Sequence, residues 1–142
     1  MPLFLVGIIT GCKKDSTTNT SGVPNVSVVG IGGSIYDAGY TNLQIIGSGW
    51  VYVGGGYDGI ILFRNSPTTI LAFDRGCPYD CETNAKAFVN IQTGNITAIC
   101  PVCGTQYSLF SGTISNKGPG TIALKQYTVN FDETSGSYSL SN

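Results

Sequence analysis

The chain predicts an all-β fold: a small antiparallel β-sandwich or barrel that carries a two-loop cysteine subdomain. Three observations carry the prediction. Short apolar runs rich in Val, Ile, Tyr and Phe recur, bounded by Gly, Pro, Asn or Ser. Glycine is abundant, with 20 residues, and eight tyrosines add side chains that favour strands. Long heptads and the 3.6-residue apolar period of helices are absent. A length of 142 residues suits one domain with a real core, not two.

The first element is a processing signal. Pro2 to Ile9 form an apolar run, followed by Thr10-Gly11-Cys12 and then Lys13-Lys14-Asp15. The run is too short to span a bilayer but fits a signal-peptide core. The small residues ahead of Cys12 resemble a bacterial lipobox, in which the cysteine is lipidated and becomes the first mature residue. The stretch from Lys13 to Gly22 is polar and has nothing to bury, so it reads as a tether. The expected organisation is therefore a signal at 1–11, a lipidated Cys12 with tether at 12–24, and the β domain at 25–142. The expected partner is a membrane, reached through the N-terminal lipid. The expected location is the bacterial cell envelope, at the outer membrane on its periplasmic or surface face. Disulfides persist in that compartment.

The strands follow in order. Val26–Ile31 is expected to open the domain. Trp50–Val53, Gly59–Arg64 and Ile70–Phe73 form an antiparallel meander, with turns at Gly54-Gly55-Gly56 and Asn65-Ser66-Pro67. The run at Gly59–Arg64 is almost continuously apolar, as in a core strand. Tyr36–Leu43 fits a loop or one helical turn. Ala87–Ile91 and Asn95–Ile99 join through Gln92-Thr93-Gly94. Tyr107–Phe110, Ile122–Leu124, Tyr127–Phe131 and Ser137–Leu140 complete the set.

Composition excludes several functions. The charged fraction is 11% and the net charge is -1, so nucleic-acid binding has no electrostatic basis. The chain contains no histidine, which removes histidine-based nucleophile activation and His-rich zinc hydrolase sites. Asp74, Asp80, Glu82, Asp132 and Glu133 read as solvated loop and strand-end carboxylates. The Gly54-Gly55-Gly56 turn precedes no helix and does not form a phosphate loop. Trp50, Tyr52 and Tyr57 offer a glycan-stacking face or, on base rates, part of the core and its rim. No acid, base and nucleophile combine, so the chain does not read as a stand-alone enzyme.

The chemistry lies in four cysteines. Cys77, Cys81, Cys100 and Cys103 are spaced C-x3-C-x18-C-x2-C. Two close pairs across such a spacer resemble a zinc pattern, and Cys100-Pro101-Val102-Cys103-Gly104 resembles a rubredoxin or zinc-ribbon knuckle. The four thiols fit three states: disulfides, an iron or iron–sulfur site, or structural zinc. The oxidising compartment favours disulfides, and four cysteines allow three pairings.

A wider resemblance covers residues 50–140. The run from Gly59 to Arg64 and on through Ala72-Phe73-Asp74-Arg75-Gly76-Cys77-Pro78 resembles the approach to the first cluster loop of Rieske [2Fe–2S] domains. Thr97 to Leu109 resembles the second loop and its following strand. Ser111-Gly112-Thr113, Gly118-Pro119-Gly120, Leu124 and Tyr127 resemble the closing proline loop and last strands. The whole is similar to Rieske-like lipoproteins of the Bacteroidetes type. The resemblance implies a [2Fe–2S] cofactor held by C-x-H and C-x-x-H loops. Cys77 and Cys100 occupy the cysteine positions. Tyr79 occupies the first histidine position and Cys103 the second. Cys81 lies where some members keep a disulfide cysteine. Histidine ligands raise the Rieske potential to between about -150 and +300 mV, against about -400 mV for all-cysteine ferredoxins. Their absence removes quinol chemistry of the respiratory type. Two roles remain: a structural or binding accessory protein with a four-cysteine site, or an electron carrier with an all-cysteine [2Fe–2S] or mononuclear iron site.

Overall fold

The computed structural model describes residues 22–142. The signal run, Cys12 and most of the tether lie outside the described residues. Val23 is already fully buried, so packing begins two residues ahead of the expected boundary at 25.

Among the described residues, nine strands form two antiparallel sheets. They are β1 (Gly32–Ser34), β2 (Trp50–Val53), β3 (Ile60–Ser66), β4 (Thr69–Asp74), β5 (Asn90–Ile91), β6 (Thr97–Ile99), β7 (Gln106–Ser108), β8 (Gln126–Phe131) and β9 (Ser137–Ser141). The larger sheet has the order β1-β9-β8-β4-β3-β2, and the smaller has β5-β6-β7. The architecture is all-β, as expected. Among the described residues the sole helical element is a 3-10 turn at Thr41–Gln44, which overlaps the end of the segment expected as a loop or one helical turn.

Strand β3 explains the arrangement. Ile60, Ile61, Leu62 and Phe63 are all 0% exposed, so both faces of the strand are covered. Side chains alternate across a strand, which sends Ile60 and Leu62 to one core and Ile61 and Phe63 to the other. The first core gathers Val28, Ile35, Leu43, Tyr127, Tyr138 and Leu140 within the curled larger sheet. The second joins Phe73, Val89, Ala98, Tyr107 and Leu109, and so welds the small sheet onto the large one. Each such side chain contributes about 1.5–3 kcal/mol on burial. This second core contains Cys77 and Cys100. Thus the apolar run that marks β3 also fixes where the cysteine loops sit.

Several expected elements are corrected. Val26–Ile31 is not a strand but a strap that ends in a turn, where Ile31 N–H donates to Val28 C=O at 3.2 Å. Its backbone is tied by the Asn142 side chain, which accepts from Val28 N–H at 2.9 Å and donates to Val26 C=O at 2.8 Å. An amide clamp there takes the place of a strand ladder. Ile122–Leu124 is also irregular, with Ile122 39% exposed and Leu124 N–H donating to Gly112 C=O. Ala87–Ile91 contracts to β5, leaving Phe88 in an isolated bridge to Gly76. The Trp50–Val53 strand and the meander through β4 form as expected.

Asp74 is the largest departure from a sequence reading as solvated. It is fully buried at the end of β4. Its Oδ2 accepts from Tyr57 N–H and Tyr127 O–H, both at 2.7 Å. Its Oδ1 accepts from Gly76 N–H at 2.7 Å and Asp58 N–H at 3.3 Å. One carboxylate thereby joins the β2–β3 turn, β8 and the start of the first cysteine loop. Hydrogen bonds to charged groups are worth about 1.5–3 kcal/mol, and stranded buried donors cost about 1–3 kcal/mol each. Asp74→Ala is therefore expected to lower stability by about 3 kcal/mol or more, and Tyr127→Phe by less. Urea unfolding midpoints check the order of the two, and equal midpoints for Asp74→Ala and the parent chain would refute the assigned role.

Candidate metal centre

Two turns of equal design bring the cysteines together. In the first, Cys81 N–H donates to Cys77 C=O at 2.9 Å. In the second, Gly104 N–H donates to Cys100 C=O at 2.9 Å. Each turn begins Cys-Pro, at Cys77-Pro78 and Cys100-Pro101. Proline needs no partner for its missing N–H at such a turn start. In one helical turn, positions i and i+3 share a face. The shared face holds Cys77 and Asp80 in the first loop, and Cys100 and Cys103 in the second. Gly104 closes the second turn at φ 77°, in the left-handed region that suits glycine.

The four donor atoms of Cys77, Asp80, Cys100 and Cys103 lie within 4.8 Å of one another. Cys77 Sγ is 3.7 Å from Cys103 Sγ, and Cys100 Sγ is 3.7 Å from Asp80 Oδ2. Cys77 and Cys100 are fully buried, whereas Cys103 and Asp80 are half-buried at the rim. Hydroxyls surround the sulfurs. Thr105 Oγ1 is 3.1 Å from Cys103 Sγ, and the buried Tyr107 hydroxyl is 3.6 Å from Cys77 Sγ. The backbone N–H groups of Val102 and Cys103 favour the Cys100 thiolate, and that of Thr105 favours the Cys103 thiolate. Thr105 Oγ1 also accepts from Gly120 N–H at 3.0 Å. Gly118 sits so close to the Thr105 backbone that a Cβ there has no room. The closing loop at 118–120 therefore braces the second cysteine turn.

The sequence-predicted four-cysteine set is brought together only in part. Cys77, Cys100 and Cys103 converge, but Cys81 lies outside the group. Its Sγ instead faces Gly22 C=O at 3.6 Å. Position i+4 of the turn falls on the opposite flank from i+3, so the extra residue in C-x3-C turns Cys81 away and Asp80 inward. No disulfide joins the four cysteines in this structure. Pairing within a loop is opposed by the turn, which points Cys81 at Gly22 and Cys77 at the second loop. Tyr79, at the first histidine position, is 56% exposed and takes no part in the group. Asp80 was legible in one signal: Cys77-Pro78-Tyr79-Asp80 and Cys100-Pro101-Val102-Cys103 share the pattern Cys-Pro-x-donor.

The other candidates are structural. Tyr52 is covered by the Arg75 guanidinium at 3.9 Å and its hydroxyl accepts from Ile91 N–H at 2.9 Å, so its ring is not free to stack on a sugar. Trp50 leans on Tyr52 at 4.8 Å between ring centroids and packs against the second core. Tyr57 hydroxyl donates to Cys81 C=O at 3.4 Å.

A two-iron cluster does not fit this donor set. Such a cluster spreads its ligands into two pairs at opposite ends of an iron–sulfide rhomb. Here the outer pair is missing one member, because Tyr79 faces solvent, and Cys103 closes in on Cys77. The four donors are gathered around the space of one ion.

The fold has known counterparts. The cyanobacterial plasma membrane Rieske protein PetC3 from Synechocystis PCC 6803 is similar to this chain, with a TM-score of 0.54 at 18% sequence identity. The likeness covers 83% of this chain and 100% of that one. The chain therefore has the Rieske fold, with Tyr79 and Cys103 where the family's sequence pattern places histidines. Family models give no match, and neither do curated proteins.

Burial controls the thiols when no metal holds them. It pushes Cys100 from an ordinary value of 9.0 up to about 12, against the lowering effect of its backbone N–H donors. It raises Cys103 as well, and it pushes Cys81 up to about 12 with the negative Asp58 adding to the effect. A folded-state pKa above the unfolded one means the native chain holds more protons between the two values. Stability of the metal-free protein is thus fully present below about pH 9 and is lost as pH rises toward about 12. Urea unfolding at stepped pH with a chelator present checks this, and a profile that is flat to pH 11 would contradict it.

Proposed function

We propose that this protein is a lipid-anchored accessory module of the bacterial cell envelope, with a structural or binding role and a metal ion that staples its two cysteine loops. The carrying observation is the closed donor set of Cys77, Asp80, Cys100 and Cys103 on a Rieske fold without histidine. Four protein donors leave no open coordination position, which is the pattern of structural rather than catalytic metal sites. The metal, when bound, supplies a cross-link and neutralises the thiolates. The chain's own groups do the rest: Thr105 and Tyr107 orient sulfur lone pairs, and the second core keeps water from Cys77 and Cys100.

The anchor reading rests on the lipobox-like Cys12. No helix of the described residues is long and apolar enough to cross a membrane. The described chain begins beside the first cysteine loop, where Gly22 C=O meets Cys81. A fully extended chain spans about 3.5 Å per residue, so the segment from Cys12 to Gly22 reaches at most about 35 Å. In this reading the metal loops work within that distance of the membrane surface.

A second reading is favoured by the fold likeness to a Rieske protein: mononuclear iron on the same donors makes the domain a one-electron carrier. Redox titration of the iron-loaded chain separates the two, since a structural role requires no reversible couple.

The main reading has two expected outcomes. Cys12→Ala releases the expressed chain from membrane fractions. Chelation of the purified protein lowers its Tm by about 10 °C or more, because metal binding energy is folding energy when the unfolded chain lacks the site. Membrane partition without Cys12 would refute the anchor, and an unchanged Tm would refute the staple.

A further inference from the structure

We infer that the centre holds one tetrahedral thiophilic divalent cation, of which Zn²⁺ is the reference, on a Cys3Asp ligand set formed by Cys77, Cys100, Cys103 and Asp80. The inference rests on the metal-bearing reading proposed above and goes beyond it by fixing stoichiometry, ligand set and metal class. It replaces both the two-iron cluster and the four-cysteine set.

Geometry carries it. Zn–S bonds of about 2.3 Å in a tetrahedron put two sulfurs about 3.8 Å apart, and a Zn–O bond of about 2.1 Å puts sulfur and oxygen about 3.6 Å apart. The Cys77–Cys103 separation is 3.7 Å and the Cys100–Asp80 separation is 3.7 Å. These two pairs share no atom and together account for all four donors; all six separations lie within 4.8 Å, so the donors close in by at most about 1 Å on taking up the ion. Both edges run between the loops rather than within them. One ion therefore ties residues 77–80 to residues 100–103, as a cross-link must.

Chemistry selects the metal class. Three thiolates prefer a soft or borderline ion, and a tetrahedral arrangement with no histidine suits Zn²⁺ over Cu²⁺, Ni²⁺ or the oxygen-seeking Mg²⁺ and Ca²⁺. On binding, each cysteine loses its proton to solvent and Asp80 contributes as carboxylate. The anionic centre that results is offset by the Thr105 and Tyr107 hydroxyls and by the N–H groups of Val102, Cys103 and Thr105. Asp80 and Cys103 lie at the half-buried rim and give the ion a way in.

The test uses the full chain purified in detergent without oxygen. One portion is loaded with Zn²⁺ alone, a second with Co²⁺, and a third with Fe²⁺ and sulfide. We expect one zinc per chain, and a cobalt spectrum whose sulfur-to-metal bands correspond to three thiolates. In chelator competition, Asp80→Asn weakens Zn²⁺ binding by about tenfold or more, Asp80→Cys restores it, and Cys81→Ser changes it by less than about twofold. Circular dichroism and urea midpoints confirm that each variant folds. Two irons with two acid-labile sulfides per chain would overturn the single-ion inference while leaving a metal site in place. Loss of zinc in Cys81→Ser, with Asp80→Asn unaffected, would overturn the ligand set in favour of four cysteines. Failure to take up zinc, cobalt or iron would sink the metal reading itself.

Discussion

The site depends on the buried carboxylate of Asp74. It lies three residues before Cys77, where the large sheet ends and the first cysteine loop begins. A charge taken out of water survives only if donors replace its hydration. Here the donors come from the 57–58 turn, from Tyr127 on β8 and from Gly76. Each is thereby held where the carboxylate needs it. Burial, followed by its bond to Asp74, raises the Tyr127 hydroxyl pKa, so that phenol stays a donor throughout the working pH range. Gly76 N–H fixes the backbone entering the loop, and Cys77 N–H then bonds Ala87 C=O at 2.9 Å. The first thiol is placed by a chain of satisfied polar groups, and loop flexibility contributes nothing to its position.

The second loop is placed differently. It grows from a hairpin, β6 to β7, whose register pairs Ile99 with Gln106. Cys100 follows β6 directly and is buried by the same core that holds Phe63 and Phe73. Packing thus sets one loop and polar satisfaction sets the other. Strand β3 links the two, because its Ile61 and Phe63 form the floor on which the small sheet rests. The N-terminal strap is fastened to the same body by Lys125, whose amine donates to Asn25 Oδ1 at 2.6 Å and Pro24 C=O at 3.1 Å.

Legibility in the sequence tracked how local each cause was. The run at Gly59–Arg64 announced a strand with both faces buried, and β3 is that strand. Trp50–Val53 carried β-branched and aromatic residues between turn signals and matched β2 in full. Val26–Ile31 carried the same composition but lacks a strand ladder, because the Asn142 amide clamps its backbone from 114 residues away. No local pattern reports such a partner. The acids were misjudged for a related reason. Asp74 and Asp80 have the composition of exposed loop residues, and only the fold supplies the donors that bury one and the thiols that recruit the other. Cys81 was assigned by residue type, whereas the turn selects by angle.

That angular selection also explains why the fold can keep its loops and change its centre. The Rieske pattern that the sequence resembles has C-x-H in one loop and C-x-x-H in the other, so its second donors fall at i+2 and i+3. In this chain position i+2 of the first loop is Tyr79, which faces solvent, and the inward donor moves to i+3. Both loops then present donors at i and i+3, so their reach is equal and the four atoms contract toward a single point. In the single-ion reading, a histidine restored at Tyr79 alone leaves the inward donors at i and i+3 in place. Asp80 still faces Cys100, and Cys103 still sits 3.7 Å from Cys77. In the single-ion reading proposed above, the offset between the loops, more than any one ligand type, decides how many ions the donors gather around.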